Sequence, residues 1–243
     1  MRQIWGKSDT VLFIFAGASA EFALNKAVDW LYFTGRLPAD PLGRLFSTVA
    51  YARMIIFADY DVAIKAIDQI TAIHHKVEEN RGAKIPEWAY RDVLFLLIDY
   101  TIRSFEALER KLTDLEKGEA FDVFYRVGDR MGINGLPKTY PEWLAMRGEH
   151  LEQNLRYSKF TTDLYLQYKK HLGLIRYALL MQVQLLVVPE KVKQLLNIKQ
   201  PLYIKPVLAL YKLSRLIRLD RILKAAMLPA DYKTQILALD RIT

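Results

Sequence analysis

A cysteine-free chain of 243 residues, 52% hydrophobic and 26% charged, has the material for one sizeable core. It excludes disorder, disulfide frameworks, thiolate metal sites, iron–sulfur clusters and cysteine nucleophiles. The net charge of +8 and pI near 9.4 point toward acidic partners (nucleic acid, an anionic membrane surface or an anionic cofactor) without choosing among them.

Helical signals run along nearly the whole chain. The apolar stretch Val11–Ala18 is too short to span a bilayer and Glu21 follows it,. Its small residues would suit a signal peptide, but a helical pattern begins within the same stretch. Leu24, Val28, Leu31 and Tyr32 then recur at helical spacing. Pro41 suits the first position of the next helix, which carries Leu42, Leu45, Phe46, Val49, Met54, Ile55 and Ile56. Asp61 is placed to cap the following helix, which runs through Ile64, Ile67, Ile70 and Ile73 to Gly82.

Pro86 opens a long segment, Glu87 to about Leu112, whose middle reads VLFLLI. Apolar on every side, it predicts a central helix buried on most faces. Thr113 and Glu116 form a candidate capping box for a helix through Phe121, Phe124, Val127 and Met131 that stops at Gly132. GINGLP is a loop. Thr139 and Pro141 open a helix from Glu142 to Leu155, Thr161 and Thr162 cap one ending at Gly173, and Ile175–Val188 reads as a second buried helix before Pro189. Lys205–Leu228 and Asp231–Ile242 complete nine or ten helices with no convincing strand pair,. The expected architecture is all-α: one multi-helix domain over residues 1–243, with no linker, repeat or low-complexity tract to divide it.

Chemistry-bearing motifs are sparse. Nucleotide-loop, nucleophile-elbow and zincin patterns are absent,. On a helix His74 shares a face with Ile67, Ile70 and Val77, so it points inward, as a core histidine or as a metal or cofactor contact; His75 points outward. Asp99 lies four residues before Arg103 and pairs with it along the helix, either structurally or beside a polar pocket. Arg44, Thr48, Ala52 and Ile55 share one face, where an arginine and a threonine one turn apart can hold a carboxylate such as a propionate. The C-terminal Lys205, Lys212, Arg215, Arg218, Arg221 and Lys224 wind around their helix instead of forming one stripe. No aromatic platform is interleaved with them, so nucleic acid is not an expected partner.

These segments resemble the catalytic domain shared by bacterial rubber oxygenases (the latex-clearing proteins) and the fungal membrane-bound oxygenase of mycophenolic acid biosynthesis. The resemblance runs from about Phe15 to Leu155. AGASAEFAL looks like the family's first helix, and DPLGRLFST at Asp40–Thr48 like its D-P-x-x-R-x-x-x-T element. IHHKVEENRG at Ile73–Gly82 and WAYRDVLFLLIDY at Trp88–Tyr100 look like the next two elements. A loop GLP and LPADYK at Leu228–Lys233 fit too.

The resemblance implies a globin-like helical core, a b-type haem on the central helix, and oxidative cleavage of an isoprenoid double bond by dioxygen. It places Arg44 and Thr48 about a carboxylate or bound oxygen. Tyr100 falls at the family's axial histidine position and Ser47 at the family's lysine beside the threonine, while His74 matches a second family histidine. Tyr100 or His74 is therefore the expected iron ligand, with Asp99 a proton acceptor. The competing reading is a haem-free helical protein that binds an apolar ligand or a protein partner without catalysis. The expected location is cytoplasmic, with peripheral membrane contact through the C-terminal basic residues left open. Oligomeric state is not legible.

Overall fold

The computed structural model describes residues 1–35 and 39–198 and positions 206, 208, 209, 211 and 212, except for the side chains at 42, 45 and 46. The expected helices Lys205–Leu228 and Asp231–Ile242 otherwise lie outside the described residues, as do Lys205, Arg215, Arg218, Arg221, Lys224 and LPADYK.

The described chain is all-α. Ten helices follow in order: α1 Arg2–Trp5, α2 Ser8–Phe22, α3 Asp29–Phe33, α4 Pro41–Phe57, α5 Tyr60–Arg81, α6 Glu87–Leu108, α7 Asp114–Arg130, α8 Tyr140–Gln153, α9 Lys159–Val187 and α10 Glu190–Leu196. Among the described residues the sole β pairing is an isolated bridge between Asn25 and Leu155.

Local chemistry explains most boundaries. Asp40 accepts from the Gly43 amide while Pro41 sits in the first turn of α4, satisfying one orphan donor and removing another. The capping box Thr113–Glu116 forms, and Thr139 caps α8 by accepting from Glu142 N. Gly82 ends α5 in the left-handed conformation,.

Four expectations shift. Leu24 and Val28 lie in a run of turns after α2, where i→i+3 backbone bonds replace the helical ladder. The α5 N-cap is Asp59, with Asp61 in the first turn. The central helix ends at Leu108, because the backbone leaves helical geometry at Glu109. A capping box from Ser158 to Thr161 starts α9, which runs on past Gly173 to Val187, with Gly173 far from helical geometry (φ 71, ψ 176) at a kink. The second half of α9 is buried only towards its end, at Val183, Gln184, Leu185 and Val187.

Helix α2 packs along α6 at the centre of the core. Trp5, Ile14, Phe95, Ile98, Tyr100 and Trp143 are all fully or almost fully buried there. No helix among the described residues is long and apolar enough to cross a membrane.

Candidate functional site

Helices α2, α3, α4, α5, α6, α7 and α9 line a cavity of about 740 Å³, within the size range of small-molecule sites. Its walls are overwhelmingly aliphatic and aromatic. The all-round apolar character of α6 now has its cause. Leu94, Phe95, Leu96 and Ile98 are buried, and Val93, Leu94, Leu96 and Leu97 line the cavity, so the helix serves the core on one side and the cavity on another. The cavity lies against the first half of the central helix, from Ala89 to Leu97.

Arg44, Thr48, Ala52 and Ile55 all line it, as their shared helical face predicts, and His74 joins them from α5. Thr48 donates its hydroxyl to the Arg44 carbonyl oxygen at 3.2 Å. His74 Nδ1 lies 2.8 Å from the Ile70 carbonyl oxygen. A carbonyl only accepts, so Nδ1 carries the proton and Nε2 keeps its lone pair in the neutral ring. Burial, supported by the positive charge of Arg44, lowers the His74 pKa against the opposing Ile70 hydrogen bond. The imidazole is therefore neutral near pH 7, the form that ligates a metal. Tyr90 packs against it with ring centroids 5.3 Å apart.

Glu78 secures this wall. Its carboxylate accepts from Lys84 Nζ, the Ile85 amide and the Tyr90 hydroxyl at 2.9, 2.9 and 3.2 Å, tying the end of α5 to α6. Burial pushes the carboxyl up, but its hydrogen bonds, from Lys84 first, outweigh this and hold it at about 2. A depressed carboxylate stabilises the fold above its unfolded pKa and loses that contribution as pH falls through the folded value. Glu78→Gln should therefore cost about 1–3 kcal/mol at pH 7. In urea titrations the gap from the parent should close between about pH 4.5 and 2. A gap independent of pH would contradict this role.

Tyr100 and Asp99 are elsewhere. Neither lines the cavity. Tyr100 is fully buried and donates its hydroxyl to Glu21 Oε2 at 2.8 Å. Burial, followed by the negative charge of Glu21, raises its pKa well above 10, which opposes the phenolate an iron ligand requires. Asp99 accepts from Arg103 Nε at 2.6 Å through Oδ1 and from Arg147 Nη2 at 3.0 Å through Oδ2. Arg147 reaches Glu21 with Nη1 and Nη2 at 2.5 and 2.6 Å. The expected Asp99–Arg103 pair is thus one edge of a buried network joining α2, α6 and α8. It supplies structure, and no proton acceptor for the cavity.

Sequence reasoning missed Glu21 and Arg147. It also missed a second buried node, Asp92, which accepts from Asn25 and Asn154 at 2.8 and 3.1 Å and pairs with His150. One signal was available. Trp143, Arg147 and His150 fall at i, i+4 and i+7 on α8, so two polar side chains occupy its buried stripe.

A cavity lined by seven of the described helices, with an arginine–threonine pair on α4 and a histidine on α5 in its walls, fits the family signalled by DPLGRLFST and IHHKVEENRG. The family model described as "ER-bound oxygenase mpaB/B'/Rubber oxygenase, catalytic domain" matches residues 3–220. The chain belongs to this family. The match extends well beyond the Phe15–Leu155 resemblance at both ends, and LPADYK at 228–233 lies past it. No curated protein and no solved structure matches the chain. An oxygenase catalytic domain therefore covers most of the molecule.

The donor set is compatible with haem. Among the described residues no group of three or more His, Asp or Glu side chains could hold a bare metal ion. Haem iron needs only one axial side chain from the protein, and His74 presents an available nitrogen whose partner nitrogen is fixed by a backbone carbonyl, the usual arrangement of a ligating histidine.

Proposed function

We propose that this domain is a haem-dependent oxygenase, with a globin-like helical core, acting on an apolar substrate of the isoprenoid class. One observation carries the reading. Neutral His74, Arg44 and Thr48 share the lining of a predominantly apolar cavity, whose other charged or amide side chains are Asp9, Asn25 and Arg176.

Haem bound there would supply activation of dioxygen for cleavage of a carbon–carbon double bond. His74 would hold the iron through Nε2, its ring orientation set by Ile70 and Tyr90. Arg44 would bind a carboxylate at the cavity edge, and the Thr48 hydroxyl can turn from its backbone acceptor to donate to a polar atom in the cavity. The apolar walls bind the hydrocarbon by excluding water from it and strengthen each electrostatic contact made inside.

A second reading is favoured by the burial of Tyr100. The family's axial position is sealed onto Glu21, as suits a haem-free relative that uses the same cavity to bind an apolar ligand.

Protein from haem-supplemented cells should show a Soret band. His74→Ala should abolish or shift it, with circular dichroism confirming that the cavity left by truncation has not unfolded the variant. Tyr100→Phe should leave the band in place. A colourless parent sinks the oxygenase reading in favour of the second. An unchanged spectrum in folded His74→Ala would remove His74 as the ligand.

A further inference from the structure

The kink in α9 has an unusual surface. Gly173 sits at φ 71, a conformation L side chains rarely adopt, and it turns the next two side chains outward. Leu174 and Ile175 are 71% and 85% exposed. Two adjacent aliphatic side chains at a helix break find no core there. Immediately before them stand Lys169, Lys170 and His171, all exposed. Leu172 and Arg176, which bracket the exposed pair, line the cavity. The segment KKHLGLIR thus joins a cationic shoulder, an exposed aliphatic tip and two residues of the cavity lining.

We propose that this kink is a membrane-docking tip that inserts Leu174 and Ile175 into the interface of an anionic bilayer. Charge complementarity selects the occupant. Lysines beside a small apolar tip are attracted to anionic headgroups while the tip enters the acyl boundary, and the chain as a whole carries +8. The tip is too small to bind a neutral bilayer well by itself, and the lysines too few to bind without it, so the two act together. Docking there brings the cavity-lining residues Leu172 and Arg176 next to the lipid. An apolar substrate can then pass from bilayer to cavity without crossing water, a consequence that rests on the substrate class proposed above; the docking itself does not.

The chain has no cysteine, so Leu174→Cys provides a single thiol for an environment-sensitive fluorophore. The full-length labelled protein is titrated with phosphatidylcholine vesicles containing or lacking phosphatidylserine. The expected result is a blue shift and protection from an aqueous quencher with phosphatidylserine vesicles alone, weakened by added salt. In vesicle sedimentation with unlabelled protein, L174S/I175S and K169E/K170E should each bind at least tenfold less, with unchanged helicity and an unchanged Soret band if the parent has one. Full binding by L174S/I175S overturns the proposal. So does equal binding to neutral vesicles, or a label already shielded before vesicles are added. Binding lost only on charge reversal of Arg215, Arg218 and Arg221 would assign the contact to the C-terminal segment instead. A concentration-dependent dimer abolished by L174S/I175S, without vesicle binding, would assign the tip to a second copy of the chain. Because none of these readouts requires haem, failure here and failure of the oxygenase reading are separable.

Discussion

Replacing Arg147 with methionine should lower folding stability by about 3–5 kcal/mol, the cost of stranding buried charge. Arg147 is 4% exposed, Glu21 2% and Asp99 7%. The guanidinium donates two near-parallel bonds to Glu21 and two more to Asp99 Oδ2, from Nε at 3.2 Å and Nη2 at 3.0 Å. Although burial disfavours its charge, the two carboxylates raise its pKa further, so it stays ionised. Without it, among the described residues Glu21 keeps the Tyr100 hydroxyl alone and Asp99 keeps Arg103, whose side chain is 42% exposed. The loss should appear as a lower urea midpoint with an unchanged slope. Arg147→Lys should restore only part of it, since an ammonium cannot reproduce the planar fork. The triple change of Arg147, Glu21 and Asp99 to methionine or leucine should recover most of it, because an apolar replacement strands no charge. A fall of less than about 1 kcal/mol for Arg147→Met, the range of exposed pairs, would show that water reaches the network.

Gly17→Ala should cost about 1–3 kcal/mol or more through overpacking. A Cβ at Gly17 would lie 2.3 and 2.4 Å from two ring carbons of Tyr100. The ring cannot swing aside, because its hydroxyl is bonded to Glu21 and the residue is fully buried. The added methyl must therefore push α2 away from α6, two walls of the cavity. Gly118→Ala, on α7 with open space at its Cβ, is the control and should be neutral or stabilising by up to about 1 kcal/mol. In a Tyr100→Ala background, Gly17→Ala should lose most of its cost. Additivity of the two substitutions would show that the contact between them is not the cause.

Both experiments act on groups that the sequence displays in unequal ways. Glu21 is visible as the charge that ends an apolar run, but nothing local names its partner. Arg147 is 126 residues away, the one arginine of α8, and nothing beside it in the sequence says which carboxylates it meets.

Legibility followed the range of the interaction. Periodicities of three and four residues, the Asp40–Pro41 start, the Thr113–Glu116 box and the terminal Gly82 determined the all-α class and most helix positions, because caps and helical faces are settled within one or two turns. The shared face of Arg44, Thr48, Ala52 and Ile55 was legible for the same reason, as was the inward turn of His74. Only the tertiary structure decided that those two faces meet across one cavity, and that Tyr100 is sealed away from it. A helix's own residues specify which of its faces is apolar, but not what lies opposite. The pairings of Glu21, Arg147, Asp99 and Asp92 are set by the packing of α2, α6 and α8, where each buried charge is tolerated only because a distant residue arrives to meet it.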